Sequence, residues 1–236
     1  MRWPTDRRLR LAAVLCTAAA LAGGLVAASV LGARDEGSAP VSAAAPEPEP
    51  SLFAGIEQRG AALGSPRAPV TLVEYADLQC PYCAQWARDA LPTLVRDYVQ
   101  AGRLRIVFNG LAFIGPDSNT ALRTVVAAGR LNHLWDVVHG LYLSQGTENA
   151  GWVTDTLVRE IAAGVPGLEP DELLGSRWEK TIDPELERFA AAARAAGVDG
   201  TPAFQVGPTG GRLERVEVGS LGPEGIVPAI DVALAR

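Results

Sequence analysis

Two cysteines separated by two residues are the feature of this sequence with the clearest capacity for chemistry. They are Cys80 and Cys83, and Pro81 and Tyr82 lie between them. A CxxC pair can cycle between a dithiol and a disulfide, and its first thiol is often acidic. We therefore predict a redox-active Cys80–Cys83 disulfide, with Cys80 outward and Cys83 inward.

The cysteine pair lies where a predicted strand meets a predicted helix. The run from Val70 to Tyr75 is rich in β-prone residues, and the segment from Pro81 to Gln100 favours a helix. The first turn of a helix carries unpaired N–H groups and the positive end of the helix dipole, and both stabilise an anion. We therefore expect a lowered pKa for Cys80, which favours the reduced form of the pair.

A metal site and an inert disulfide are the other common roles of a CxxC pair. A structural zinc site normally needs four Cys or His ligands. Outside the pair the chain has only Cys16, in an apolar N-terminal run, and two histidines, His133 and His139, six positions apart. Six residues along a helix place two side chains on different faces, so we predict no metal and no cofactor. A structural disulfide stays the alternative, although so short a loop gives little stabilisation.

The first 33 residues have the pattern of a membrane-inserted segment. Arginines precede Leu11 to Ala33, a run of 23 residues without a charge. As a helix this run is about 34 Å long, enough to cross a hydrocarbon core of about 30 Å. Its length favours a single-pass anchor in the cell membrane. A cleaved signal peptide, which leaves a secreted or periplasmic protein, is the alternative. Both predict an extracytoplasmic catalytic domain.

Export and charge together narrow the class of partner. Disulfides persist outside the cytoplasm, and one cysteine pair after the leader suits a protein that acts on the thiols of other exported proteins. Four arginines and one aspartate give the leader +3, and the formal net charge of −6 minus +3 leaves −9 for the remainder. Such a charge repels a phosphate backbone, so we predict no nucleic-acid partner.

After residues 1–33 the chain divides into a linker and a domain in two parts. Residues 34–60, rich in Pro, Ala and Glu, are predicted to be a disordered linker. The stretch from Leu52 to Gly64 stays open, since Leu52, Phe53 and Ile56 could also form a short helix or pack on the domain edge. Residues 61–115 contain the strand, the cysteine helix and a second strand. Residues 116–197 show helical patterns, and residues 198–236 return to a strand hairpin followed by an amphipathic helix.

This order of elements resembles the DsbA-like disulfide oxidoreductases of the thioredoxin superfamily. The resemblance rests on the CPYC motif after the first strand, on a Thr201-Pro202 step before a later strand, and on Glu74, six positions before the first cysteine. It implies an α/β protein with a thioredoxin-like fold and an inserted helical domain. The N-terminal apolar helix and the disordered linker would precede this fold.

The resemblance also implies a role for each residue of the motif. Cys80 would be the exposed nucleophile and Cys83 the resolving thiol. Pro202 would be a cis proline lying against the disulfide, whereas an ordinary trans proline that starts an edge strand is the alternative. The residues expected to bind substrate are Thr201, Pro81 and Tyr82.

Glu74 is the candidate proton carrier. Strand alternation places its side chain on the same side as those of Leu72 and Ala76, which would bury it under the cysteine helix. Burial raises the pKa of a carboxyl group, so Glu74 could exchange a proton with Cys83. An exposed strand carboxylate is the alternative.

Members of this family act as oxidases, isomerases or reductases, and the CPYC motif alone does not distinguish them. The isomerases usually carry an N-terminal dimerisation domain, whereas only a short linker precedes the fold here, and we expect a monomer. We predict an oxidase that introduces disulfide bonds into exported proteins and is regenerated by a quinone-linked membrane oxidant. An envelope reductase and a non-catalytic chaperone or binding module are the alternatives.

Overall fold

The structure is a computed structural model that describes residues 51–236. The predicted N-terminal helix, residues 1–33, and most of the predicted linker therefore lie outside the described residues. Among the helices that the structure describes, none is both long enough and apolar enough to cross a bilayer.

A mixed sheet of six strands lies at the centre of the described residues. In chain order the strands are β1 (Gln58–Arg59), β2 (Ala62–Leu63), β3 (Val70–Asp77), β4 (Leu104–Leu111), β5 (Ala203–Pro208) and β6 (Glu214–Val216). Their order across the sheet is β1-β2-β4-β3-β5-β6, with β3 parallel to β4 and antiparallel to β5. β3 is thus central, and its residues are buried over almost the whole length of the strand. Both faces of the strand are covered, so its polar residues Thr71, Glu74 and Asp77 are buried along with the apolar ones.

Eight α-helices accompany this sheet in the described residues. They are α1 (Pro81–Asp89), α2 (Leu91–Leu94), α3 (Pro116–Arg130), α4 (Leu134–Leu143), α5 (Asp155–Ala163), α6 (Pro170–Ser176), α7 (Asp183–Ala195) and α8 (Pro223–Leu234). Helices α3 to α7 all lie between β4 and β5, the span of the predicted helical insert. α7 packs against β4, and α8 packs against β5 and α2.

The helical segment that follows the cysteines is not continuous. α1 ends at Asp89, α2 contains Pro92 in its first turn, and a π-helical turn, Val95–Val99, completes the segment. Proline has no N–H group to donate and its ring crowds the preceding turn, so a helix kinks where a proline enters it. α1 is therefore short, and it presents Cys83 and Trp86 to the core from its buried face.

The folded part begins earlier than the predicted linker boundary at residue 60. Phe53 is buried, and its ring lies 6.2 Å from the ring of Trp135, centroid to centroid. The hydroxyl of Ser51 donates a hydrogen bond to Asp136 at 2.9 Å. Residues 51–60 therefore belong to the fold, because the side chain of Phe53 fills a site in the core. The other domain boundaries stay predictions.

Candidate active site

Cys80 lies at the junction of β3 and α1, as the sequence predicts. It is the N-cap residue of α1, with an extended backbone (φ −70°, ψ 119°), and Pro81 occupies the first turn. The fixed φ of proline suits this position, where its missing N–H has no helical partner to lose. Pro81 is exposed, and Tyr82 is 62% exposed. The two residues between the cysteines thus face solvent.

Both cysteines are buried, which corrects the expectation of an exposed Cys80. Cys80 is 5% exposed and Cys83 is fully buried, and the structure describes both as free cysteines. The cover over Cys80 is the loop before β5, since the thiol of Cys80 donates to the carbonyl oxygen of Thr201 at 3.3 Å. Thr201 lies 121 positions away in the sequence. Cys80 is the more accessible of the two cysteines, as predicted, but its sulfur is shielded by a segment that is far away in the sequence.

The pKa of Cys80 falls from 9.0 to about 6. The hydrogen bond from the Cys83 thiol is the largest cause. The Thr201 side chain and the backbone N–H groups of Cys83 and Tyr82 also lower the pKa, and burial opposes them. The N–H groups belong to the start of α1, so the predicted stabilisation of an anion by the helix terminus is confirmed as one contribution. Cys80 is therefore mostly thiolate at pH 7.

Cys83 shifts in the opposite direction. Burial raises the pKa of its thiol well above 9.0, and the neighbouring Cys80 and Glu74 raise it further. The backbone N–H of Asp77 acts weakly the other way. The pair thus combines one thiolate with one thiol, which is the asymmetry that directed thiol exchange requires.

Glu74 is buried in the middle of β3, so the alternative of an exposed carboxylate is wrong. It is 1% exposed, and its neighbours across the sheet are Phe108 on β4 and Phe204 on β5. Burial, and then the charge of Cys80, raise the pKa of Glu74 from 4.5 to about 8. Neither carboxyl oxygen has a hydrogen-bond partner among the described residues. Glu74 is therefore a neutral acid at pH 7 close to the cysteines.

The loop before β5 lies against the cysteine motif. The peptide bond between Thr201 and Pro202 is cis, so the alternative of a trans proline is wrong. β5 starts at Ala203, opposite Tyr75 of β3, and this pairing carries the loop to the cysteine end of the central strand. A pocket of about 280 Å³ opens beside Thr201 and Pro202.

The buried Asp77 organises the loop around the cysteines, and sequence reasoning missed it. One carboxylate oxygen accepts from the N–H groups of Phe113 and Ile114, at 3.0 and 3.2 Å. The other accepts from the Gln79 N–H at 2.9 Å and the Ser118 hydroxyl at 2.6 Å. These bonds join the end of β3 to the loop after β4 and to α3. The only local signal is an acidic residue at the last position of a buried strand.

The helical insert also holds the cysteine loop directly. The Gln145 side chain donates to the carbonyl oxygens of Leu78 and Cys80, at 2.9 and 3.2 Å. The Gln79 side chain donates to Asn149 at 3.0 Å and accepts from the Asn149 N–H at 2.7 Å. These contacts join residues 65 to 70 positions apart, so no motif in the sequence marks them.

The two histidines do not lie at the cysteines. His133 contacts Asp136 at 3.3 Å, and the ring of His139 packs edge-on against Phe53. Within residues 51–236, no group of three or more His, Cys, Asp or Glu side chains is arranged to hold a metal ion.

A family model described as thioredoxin matches residues 57–211. The chain therefore belongs to the thioredoxin family. A probable disulfide bond formation protein D of Bacillus anthracis is 27% identical over 158 residues, which cover 66% of this chain and 72% of that protein. The disulfide bond formation protein D of Bacillus subtilis is 25% identical over 146 residues, 61% of this chain and 66% of that protein.

Solved structures support the same fold. BdbD from Bacillus subtilis, in its oxidised form, superposes with a TM-score of 0.64 at 22% identity, covering 77% of this chain and 98% of that one. The α-DsbA1 protein of Wolbachia pipientis has a TM-score of 0.61 at 20% identity, covering 74% and 90%. The predicted thioredoxin-like α/β fold and the resemblance to DsbA-like thiol:disulfide oxidoreductases are confirmed, and so is the class of enzyme, a protein disulfide oxidoreductase.

Proposed function

We propose that this protein introduces disulfide bonds into exported proteins outside the cytoplasm, by exchange through the Cys80–Cys83 pair. The observation that supports this most is the opposite displacement of the two thiols, with the pKa of Cys80 lowered to about 6 and that of Cys83 raised. The relatives named disulfide bond formation protein D support the same direction of reaction.

The exchange runs in two substitutions at sulfur. A client thiolate attacks the Cys80 sulfur of the oxidised pair, the Cys80–Cys83 bond breaks, and Cys83 leaves with the bonding electrons. A second client thiolate then attacks the client sulfur of the mixed disulfide and releases Cys80 as a thiolate. Two electrons pass from the client to the pair, and the client gains one disulfide. The second step benefits from the low pKa of Cys80, because a more acidic thiol is a better leaving group.

The low pKa of Cys80 also favours the reduced form at equilibrium. A fall from 9.0 to about 6 stabilises the reduced pair at pH 7 by about 1.4 kcal/mol, or about 30 mV. At pH values above 9 the contribution grows to about 4 kcal/mol. Other differences between the oxidised and reduced states add to this value, but its sign favours an oxidase.

Glu74 is proposed to carry the proton of Cys83. When Cys83 leaves as a thiolate it is fully buried, and an unpaired buried charge is costly. Glu74 is protonated at pH 7 because its pKa is about 8, so it can give its proton to the Cys83 sulfur and recover it on reoxidation. A buried acid with a pKa near the working pH suits such a transfer.

The surface around the pair suits an unfolded client. Tyr82 is 62% exposed, Phe113 59% and Leu143 61%. Phe113 is held near the motif by its bond to Asp77, and Leu143 is two residues before Gln145, which binds the Cys80 carbonyl. Exposed apolar side chains of this kind bind segments that a folded client would bury. Thr201, Pro202 and Pro81 are proposed to complete the client site.

We also infer a membrane setting from the sequence pattern. Residues 1–33 are proposed to anchor the protein by a single span, with the catalytic domain outside the cytoplasm. A quinone-linked membrane oxidant is proposed to regenerate the disulfide, which requires removal of two electrons from the reduced pair. The protein is proposed to act as a monomer.

A glutathione redox titration of the full chain in detergent tests the direction, with Cys16→Ala as the background so that only the pair reports. A potential near −120 to −180 mV supports the oxidase, and one near −270 mV contradicts it in favour of an envelope reductase.

Refolding of reduced ribonuclease is the second test. Cys80→Ala should abolish it, whereas a chaperone or binding module would keep its effect on refolding in that variant.

A further inference from the structure

Buried polar atoms without partners are concentrated at the redox centre. Residues 51–236 contain eight buried side-chain nitrogen and oxygen atoms that lack a hydrogen-bond partner, and four of them belong to Glu74, Trp86 and Tyr142. Folded proteins leave few such atoms unpaired, and the exceptions often have a catalytic role or bind an ordered water. Four together beside a reactive cysteine pair therefore require an explanation.

These atoms come from elements that meet under α1. Trp86 lies one turn after Cys83 on the buried face of α1, and its ring is 5.1 Å from that of Phe204, centroid to centroid. Phe204 is the partner of Glu74 across β3 and β5, and paired residues on neighbouring strands present their side chains on the same face of a sheet. Trp86 and Glu74 thus both lie next to Phe204.

Tyr142 enters the same region from the helical insert. It lies in the last turn of α4, which packs against α1, and its side chain is 1% exposed. Three residues later, Gln145 binds the Cys80 carbonyl, so this end of α4 is held at the cysteine loop. Burial is the main cause that raises the pKa of the Tyr142 phenol, and the charges of Cys83, Glu74, Cys80 and Asp77 raise it further. These are the titratable groups that face Tyr142 from β3, the cysteine loop and α1.

We propose that Tyr142 is a positioning residue for the proton step, whose hydroxyl donates a hydrogen bond to the Glu74 carboxylate through one buried water. This inference rests on the proposed function. In the step, the O–H bond of Glu74 breaks and the S–H bond of Cys83 forms, with no change of oxidation state. A buried carboxylate remains, and Tyr142 and Trp86 supply the unpartnered donors that can stabilise it.

The phenol suits this task because it never ionises at working pH. A phenol whose pKa is raised keeps its proton, so it stays a donor before and after the transfer. A hydrogen bond to a charged group contributes about 1.5 to 3 kcal/mol, or about one to two pKa units. Without this donor the Glu74 carboxylate would be less stable, and the pKa of Glu74 would rise.

The test is the pH profile of single-turnover reoxidation of the reduced full chain by oxidised glutathione, in the Cys16→Ala background, with wild type and Tyr142→Phe compared, because only the reduced pair has a Cys80 thiol that titrates. In the wild type we expect a step near pH 8 from Glu74. In Tyr142→Phe this step should move to higher pH by about one unit, while the step near pH 6 from Cys80 stays. Tyr98→Phe is the matched control, because it removes a hydroxyl bonded to Asp231 outside the redox centre.

A second comparison separates positioning from packing. In a Glu74→Gln background there is no carboxylate to stabilise, so adding Tyr142→Phe should leave the profile unchanged. An equal loss of rate at every pH, with the step unmoved, would show that the hydroxyl serves packing only and would overturn the inference.

A third test is infrared difference spectroscopy of the oxidised against the reduced wild type. It does not depend on whether a Tyr142 variant folds. A tyrosine C–O band that changes with the Glu74 carboxyl band supports the inference, and the lack of a tyrosine band contradicts it. The carboxyl band is identified by its loss in Glu74→Gln.

The proposed function and this inference can fail separately. If Cys80→Ala still oxidises clients, the proposed function is wrong. If the wild type oxidises clients and the Tyr142→Phe profile does not move, only this inference is wrong.

Discussion

Two buried carboxyl groups on one strand, three residues apart, have opposite surroundings. Asp77 accepts four hydrogen bonds, from the backbone and from Ser118. Glu74 accepts none from the described residues, and burial raises its pKa to about 8. The same functional group thus holds the structure together at one position and has no hydrogen-bond partner at the other, where we propose that it transfers a proton. Their partners decide the difference, since both side chains are almost fully buried.

The largest expected effect comes from removing the bonded carboxylate. Asp77→Ala should lower the free energy of unfolding by about 4 kcal/mol, because four donors lose their acceptor and two of them, the Gln79 N–H and the Ser118 hydroxyl, stay buried. Urea unfolding of the reduced protein at pH 7 measures this value. Asp97→Ala is the control, since it removes an exposed carboxylate that is bonded to the adjacent Arg96. A loss in Asp77→Ala no larger than that in the control would end the contrast between the two groups.

Glu74, whose carboxyl group has no hydrogen-bond partner among the described residues, should lower the free energy of unfolding at neutral pH, whereas Asp77 raises it. The pKa of Glu74 in the folded state, about 8, is above its ordinary value of 4.5, so the folded protein loses stability as the pH rises from 4.5 to 8 and loses no more above 8. Glu74→Gln removes this loss. At pH 7 the variant should therefore be more stable than the wild type by about 3 kcal/mol. Urea unfolding from pH 4 to 9 checks it, and a difference that is constant with pH would contradict it.

The pKa of Cys80 tests how far the neighbouring Cys83 thiol controls the reactive cysteine. Alkylation of the reduced protein by iodoacetamide, in the Cys16→Ala background, should give a midpoint near pH 6 for Cys80. Cys83→Ala should raise this midpoint by at least about one unit, because the bond from Cys83 is the main cause of the low pKa. Cys83→Ser, which keeps a donor, is the matched control and should stay near the wild type. An equal midpoint in Cys83→Ala would assign the low pKa to the helix start instead.

The smallest expected effect comes from removing the hydrogen bonds that Gln145 donates to the backbone of the cysteine loop. Gln145→Ala leaves the carbonyl oxygens of Leu78 and Cys80 without their donor, and it should lower the free energy of unfolding by about 1 to 2 kcal/mol. The alkylation midpoint of Cys80 should not move, since Gln145 bonds the backbone and not the sulfur. Gln85→Ala, which removes an exposed glutamine bonded to Asp89, should change neither quantity.

Local patterns in the sequence predict the central strand, the cysteine helix and the final hairpin. Each extends over several residues with one hydrophobic period, so each can be recognised without knowledge of its neighbours. The strands Gln58–Arg59 and Ala62–Leu63 escape prediction because two residues show no period. The sequence leaves the segment around Phe53 open between linker and fold, because the packing partner of its ring, Trp135 on α4, lies about 80 positions later.

The residues of the candidate site divide in the same way, into those that a local pattern predicts and those that only the fold brings together. The cysteine pair, Glu74 and the Thr201-Pro202 step follow from the motif and from strand alternation. The cover over Cys80, the bonds of Asp77 and the approach of Tyr142 join segments far apart in the chain. Nothing in the local sequence marks a side chain for a partner at that distance, so long-range polar contacts were the part that could not be predicted.

The carbonyl of Thr201 over the sulfur of Cys80 limits which thiols can reach the pair. An incoming cysteine has to reach the sulfur past this oxygen, so we expect the chain that carries it to need freedom to bend on both sides. A cysteine fixed on the surface of a rigid domain lacks that freedom. We therefore expect the contact that shields this sulfur to favour polypeptides that have not yet finished folding.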